Sequence, residues 1–246
     1  MGWSQEFQLR KALLLYGETS HNFYPSRRPF ATLHDVVHED GEARLSAAQL
    51  LTREGLFELL SAITPPATIE VLPEYVIARA RDMVVWWTPA QTRRMFYSER
   101  GQDRMMRQLN GKEYPQPPLL FKADENHLWI RALTVNRRPT SDSKTYMAPY
   151  WNCYDNGSVC TGTMKIPTAK NAAGIIRQWE DSFFNSAFSH AAGITKHTSH
   201  PGGVLALWKS LHGKRRFPAR YLLPVDETVG QFVSTHDTTY RNQHRA

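Results

Sequence analysis

From Tyr75 onward the apolar residues of this chain recur in the manner of β-strands, and only beyond Pro167 does their spacing change to that of helices. That order constrains the fold more than any single motif. Met83-Val-Val-Trp-Trp87 is nearly continuous in apolar residues and is closed by Pro89, the pattern of a central strand buried on both faces. Pro118-Leu-Leu-Phe-Lys122 follows. Leu128, Ile130 and Ala132 then alternate with His127, Trp129 and Arg131, the period of a half-buried antiparallel strand. Ala172, Ile175, Ile176, Trp179 and Phe183 take helical spacing, and Val204, Leu207, Trp208 and Leu211 repeat it before Gly213. Strands followed by helices predict an α+β architecture, an antiparallel β-meander with the C-terminal helices on one face. Trp86, Trp87 and Trp179 sit on apolar strand and helix faces and are predicted core residues.

The part before this is organised separately. Ala12-Leu-Leu-Leu-Tyr16 and Thr32-Leu-His-Asp-Val-Val37 read as two paired strands across a loop of turn residues from Pro25 to Pro29. Thr52 can cap a helix with Leu56, Phe57, Leu60 and Ile63 on one face, ended by Pro65-Pro66. The expected division is a small N-terminal α+β unit over 1–73, a main domain over 74–234 and a loose tail over 235–246.

At 246 residues, 41% hydrophobic, the chain can bury a substantial core. Its net charge of +7 permits an anionic partner, yet the basic residues are scattered apart from Lys214-Arg215-Arg216 and the tail around Arg241 and Arg245, which reads as a solvated surface. Contact with nucleic acid ranks last among the readings. With two cysteines, Cys153 and Cys160, and no long apolar run, the expected setting is a reducing cytoplasm with free thiols, and a four-cysteine zinc site is excluded by count. His190, His197 and His200 form a compact set whose spacing fits no tight ligand motif, so neither a metal nor another cofactor is expected.

The chemistry points to the irregular stretch from Pro139 to Pro167, which holds both cysteines. A free Cys usually packs as a small hydrophobe. Cys160 differs because Asp155-Asn-Gly157 makes a tight turn and Ser158-Val-Cys-Thr-Gly162 leads away with small residues that leave a thiol approachable. Acyl transfer through a thioester needs a thiolate and donors for the oxyanion formed when an amine attacks. No histidine adjoins Cys160 in sequence; Asn152 offers a side-chain amide as the donor, or else a bridge to loop backbone. Asp155 could orient or deprotonate an amine, or simply form the turn.

These residues resemble the active-site loop of ubiquitin-conjugating enzymes, in which an Asn in a His-Pro-Asn triplet lies eight residues before the catalytic Cys in a loop ending Asn-Gly-x-x-Cys. Asn152 and Asn156-Gly-Ser-Val-Cys160 match that spacing, and Tyr114-Pro-Gln-Pro-Pro-Leu-Leu-Phe121 resembles the family's Tyr-Pro…Pro-Pro strand start. More closely, Val85-Trp-Trp-Thr-Pro-Ala90, Asn136-Arg-Arg-Pro-Thr140, Ala148-Pro-Tyr-Trp-Asn152, Trp179-Glu-Asp-Ser-Phe-Phe184, Phe188-Ser-His190 and His200-Pro-Gly-Gly203 resemble the PRTRC system protein B family, also described as prokaryotic ubiquitin-conjugating family D.

The resemblance implies a fold like that of ubiquitin-conjugating enzymes, a thioester-forming role for Cys160, an oxyanion role for Asn152 and no catalytic role for Cys153. It further implies a ubiquitin-like protein and a ThiF-like adenylating enzyme as partners, with a JAB-type peptidase in the same system. Tyr150 and Trp151 stand where the triplet has His and Pro, so the loop is expected to be held differently. A docking module for a ubiquitin-like partner, with an incidental thiol, is the alternative reading.

Overall fold

The structure is a computed structural model that describes residues 8–16, 30–39, 41–63, 69–80, 82–98, 104–162, 164–190 and 196–235. The expected loop from Pro25 to Pro29, the Pro65-Pro66 stop and all but the first residue of the tail lie outside them. The chain divides into two compact units, Met1–Ile69 and Glu70–Ala246.

In the first unit, β1 (Lys11–Tyr16), β2 (Phe30–Glu39), β3 (Glu42–Leu45) and β4 (Gln49–Leu50) form an antiparallel sheet, followed by α1 (Arg53–Ile63). The predicted pair of strands is present, with Leu13 opposite Leu33. Thr52 caps α1, its hydroxyl accepting the Gly55 N–H at 3.1 Å.

The second unit runs β5 (Val76–Arg79), β6 (Val84–Thr88), β7 (Thr92–Tyr97), α2 (Arg104–Leu109), β8 (Lys112–Pro115), β9 (Leu119–Ala123), β10 (Leu128–Ala132), β11 (Lys144–Tyr146), α3 (Ala172–Asn185), β12 (Ala187–Phe188), α4 (Gly203–Leu211), β13 (Pro224–Thr228) and α5 (Val229–Ser234). The main antiparallel sheet has the order β13-β11-β10-β9-β6-β5. β6 is interior, as its unbroken apolar run requires, although β9 and β10 lie nearer the middle. The meander is interrupted: β7 and β8 leave it to form a second sheet, in which β12 pairs parallel with β7.

Strand alternation sorts the residues onto two faces. Trp86, Phe121 and Ile130 pack under α3 and α4 with Trp179, Phe183 and Trp208. Trp86 and Trp179 are fully buried, while Trp87 is half-buried. The opposite face, with Val85, Leu120 and Trp129, is covered by Val229 and Phe232 of α5. The two long C-terminal helices therefore share one face, as expected, and the six-residue α5 takes the other. α5 is what buries Lys122, whose ammonium donates to the carbonyls of Phe232 at 2.8 Å and Thr235 at 2.9 Å. Such a charge is tolerated there because it meets carbonyl groups at a helix C-terminus.

Candidate active site

The segment after β11 is held from below by aromatic packing. Tyr150 is fully buried, stacked at 5.7 Å on Phe188 and at 5.4 Å on Trp208, and its hydroxyl donates to Gln116 Oε1 at 2.6 Å. Burial pushes the phenol well above its ordinary pKa, so it stays a donor. Trp208 Nε1 donates to the Pro149 carbonyl at 2.8 Å. The residue standing where the triplet has His is thus a core pin, and the Tyr-Pro-Gln-Pro-Pro stretch supplies its partner.

From Asn152 to Cys160 the chain makes a tight hairpin. The Cys160 N–H donates to the Asn152 carbonyl at 2.7 Å, Cys153 and Val159 form an antiparallel bridge, Tyr154 N–H donates to Ser158 O at 2.8 Å, and Gly157 N–H closes the turn on Tyr154 O at 2.9 Å. The returning limb lies along the edge of β10, with Ile130 N–H donating to Gly157 O and Val159 N–H to Leu128 O, both at 2.8 Å. The part of the irregular stretch from Asn152 to Cys160 is therefore an extra ribbon on the sheet, while Lys144–Tyr146, within the same stretch, forms β11 of the sheet itself.

Gly157 has φ +86°, and a Cβ there would lie 2.9 Å from Arg131 Nη1 and 3.1 Å from the Ile130 carbonyl. Gly157→Ala is expected to cost about 2–4 kcal/mol, combining a left-handed backbone with overpacking against the strand. Gly213→Ala is the control, since Gly213 has φ +74° but open space. It should lose only about 1–2 kcal/mol in urea melts.

The two thiols are sharply different. Cys153 is 2% exposed within the core, and burial pushes its thiol far above the usual range. Cys160, one residue past the last bridge, is half-buried. Both are free.

Asn152 has φ +62°, the one positive value among the described non-glycine residues. Asn tolerates this region better than most side chains. Its Nδ2 donates to Ala187 O at 3.0 Å, and its Oδ1 accepts from Ser189 N–H at 3.1 Å and His190 N–H at 3.3 Å. Its own N–H donates to His190 O at 2.9 Å. Asn152 thus ties the chain leaving α3 to the Cys160 backbone, and no hydrogen bond joins its carboxamide to the Cys160 thiol among the described residues.

Asp155 is exposed at the hairpin tip, where its Oδ1 accepts the Asn156 N–H at 2.9 Å. Three rungs separate it from Cys160, about 10 Å at the rise of an extended chain. The structure brings Asn152 to Cys160 and leaves Asp155 at the far end.

Residues not singled out in the sequence complete the support. Arg131, 3% exposed, donates through Nε to Glu227 Oε2 at 2.8 Å and through Nη1 to the Asp155 carbonyl at 2.9 Å. Alternation alone reads Arg131 as solvent-facing, and its partner lies 96 residues away. The three histidines take separate partners. His190 Nδ1 meets Ser189 Oγ at 2.9 Å, His200 Nδ1 accepts the Gly202 N–H at 3.2 Å, and buried His197 donates through Nε2 to the Cys153 carbonyl at 3.0 Å.

Burial holds His197 below its ordinary pKa of 6.5, opposed by that hydrogen bond. The sign follows. Below pH of about 6.5 the unfolded chain gains a proton that the folded chain resists, so stability falls as pH drops from there toward the depressed folded value. Above it this group adds no pH dependence. His197→Gln is expected to flatten that part of the profile, read from urea midpoints between about pH 7.5 and 5.5.

The model of prokaryotic E2 family D matches residues 52–225. The chain belongs to prokaryotic E2 family D. No curated protein and no solved structure matches it. The matched stretch includes α1 and every element from β5 to the 3₁₀ turn at Ala219–Tyr221, and so the whole hairpin. Membership gives the chain an E2-like role in ubiquitin-like conjugation, a system that includes an activating enzyme. The mixed α+β architecture with antiparallel sheets agrees with an E2-like fold. Among the described residues no helix is long and apolar enough to cross a membrane.

Proposed function

We propose that this family D chain carries a ubiquitin-like protein as a thioester on Cys160 and passes it to an amine. The observation that carries the reading is the contrast between the thiols: Cys160 is accessible at the base of a hairpin anchored to the sheet, and Cys153 is sealed in the core. In the first step Cys160 Sγ attacks the activated C-terminal carbonyl. The carbon–sulfur bond forms, the bond to the leaving group of a ThiF-like activating enzyme breaks, and the thiol proton passes to solvent. In the second an amine attacks the thioester, the Cys160 thiolate leaves, and the amine loses a proton.

Asn152 holds the Cys160 backbone in this reading. Its Nδ2 bears two hydrogens, and Ala187 takes one; the other is the donor available to an oxyanion. Asp155 stands at the tip, three rungs from the thiol, where its carboxylate can attract the amine of an incoming protein but does not reach it at the thioester. The alternative, a docking module with an idle thiol, draws on the same engagement of the Asn152 carboxamide.

Incubation with the cognate activating enzyme, ubiquitin-like protein and ATP separates them. The expected result is an adduct that disappears on treatment with thiol and is absent in Cys160→Ala. No adduct, or one unchanged in that variant, would overturn the thioester reading in favour of the docking module.

A further inference from the structure

The turn after α4 places Lys214, Arg215 and Arg216 beside Arg220 of the 3₁₀ turn, all four exposed and lining one cleft of about 550 Å³. Leu211, Pro218 and Tyr221 form its apolar wall, and no carboxylate lines it. None of the ion pairs among the described residues involves any of the four cations. Like charges gathered without acidic partners repel one another and create a focused positive potential, an arrangement that an anionic ligand relieves.

The site is partly pre-ordered. The Arg220 guanidinium lies 4.7 Å from the centroid of the Tyr221 ring and donates to its hydroxyl at 3.3 Å, while His200 packs edge-on against the same ring at 4.8 Å. The Tyr221 carbonyl accepts from Thr198 Oγ1 at 2.6 Å and from Ser199 N–H at 3.0 Å. His197, next in that strap, holds the Cys153 carbonyl of the hairpin. One short strap therefore supports both the cleft wall and the thiol-bearing hairpin.

We propose that this cleft binds an acidic peptide segment of a partner protein that also carries apolar side chains. Two observations favour such a segment over nucleic acid. Four cations converging on one concavity can neutralise at most four phosphates, fewer than the roughly 6–10 that give a strong electrostatic footprint on duplex DNA. Arg220 also lies over one face of the Tyr221 ring and His200 packs edge-on against it, which leaves less open ring for a base to stack on. A peptide alternating Asp or Glu with Leu or Phe satisfies both the cations and the apolar wall. The inference goes beyond thioester chemistry and stands whether or not Cys160 carries an acyl group.

The test is selection of a phage-displayed library of random peptides on the full-length protein, after which the enriched peptides are measured on the Arg215→Glu/Arg216→Glu/Arg220→Glu variant. The altered side chains are exposed, and thermal melts check that the variant folds. The expected outcome is enrichment of peptides bearing acidic and apolar residues, bound at least about tenfold more weakly by the triple variant in fluorescence anisotropy. Lys165→Glu/Lys170→Glu, which reverses exposed cations elsewhere, should bind them unchanged. Absence of enrichment, enriched peptides without acids, or affinity indifferent to the triple substitution would overturn the proposal. So would a short DNA strand or duplex that outbinds the selected peptide at physiological salt and is lost in the triple variant.

Discussion

In the folded protein a maleimide labels Cys160 and leaves Cys153 untouched, with rates expected to differ by at least about 100-fold near neutral pH. The attacking species is the thiolate, and each unit of pKa elevation removes a factor of about ten from it. Burial raises the Cys153 thiol far above the usual range, and at 2% exposure the reagent reaches it only through local opening. Cys160 is half-buried and needs no opening of the hairpin. Mass spectrometry of single-cysteine variants, Cys153→Ala and Cys160→Ala, measures each rate. In denaturant the two should converge, because the difference is made by the fold. Comparable labelling in the native state would remove the contrast on which the thioester proposal stands.

The second large effect concerns Arg131. Its guanidinium, buried under α5, bonds Glu227 and the Asp155 carbonyl, and Thr145 Oγ1 also donates to Glu227 Oε2 at 3.2 Å. Arg131→Met removes one member of this pair and leaves a carboxylate that is largely buried, 18% exposed, without its counter-charge. The expected cost is about 3–5 kcal/mol in denaturant unfolding, since breaking a buried pair strands the other charge. Arg131→Met/Glu227→Gln should recover a substantial part, because the loss is chiefly the unpaired charge and not the pair's own attraction. The hairpin carbonyl at Asp155 stays unserved in both variants. Adduct formation at Cys160 should therefore remain impaired in the double variant after stability has returned. Equal recovery of both would make Arg131 a stabilising residue with no part in holding the hairpin.

Arg131 also marks the boundary of what a sequence can disclose. Its alternation with Ile130 and Ala132 correctly indicates a strand with two faces, because side chains on a strand alternate by geometry. The face carrying Lys122, Trp129 and Arg131 reads as the solvated one. It is buried because α5, about a hundred residues later, lies across it. Asn152 illustrates the same limit at the site. Its spacing from Cys160 is legible, and Asp155-Asn-Gly157 announces the turn that makes them neighbours across a hairpin. Where its carboxamide points depends on Ala187, Ser189 and His190, brought there by the packing of α3 and β12.

By itself the sequence determined the α+β class, the main strands, the two long helices, the turn, the thiol-bearing segment and the family pattern, all written in spacings of a few residues that local backbone geometry obeys; it left out β7, α2, β8, β12, β13 and α5. Cys160 was legible as the approachable thiol, but tertiary structure alone decided how deeply Cys153 is sealed, which amide is engaged, and how Tyr150 replaces the missing His-Pro support. It also gathered Arg220 with Lys214, Arg215 and Arg216 into one cleft. Burial and partner choice are properties of side chains meeting from distant parts of the chain, and the free energy that selects those meetings is that of the whole packed core.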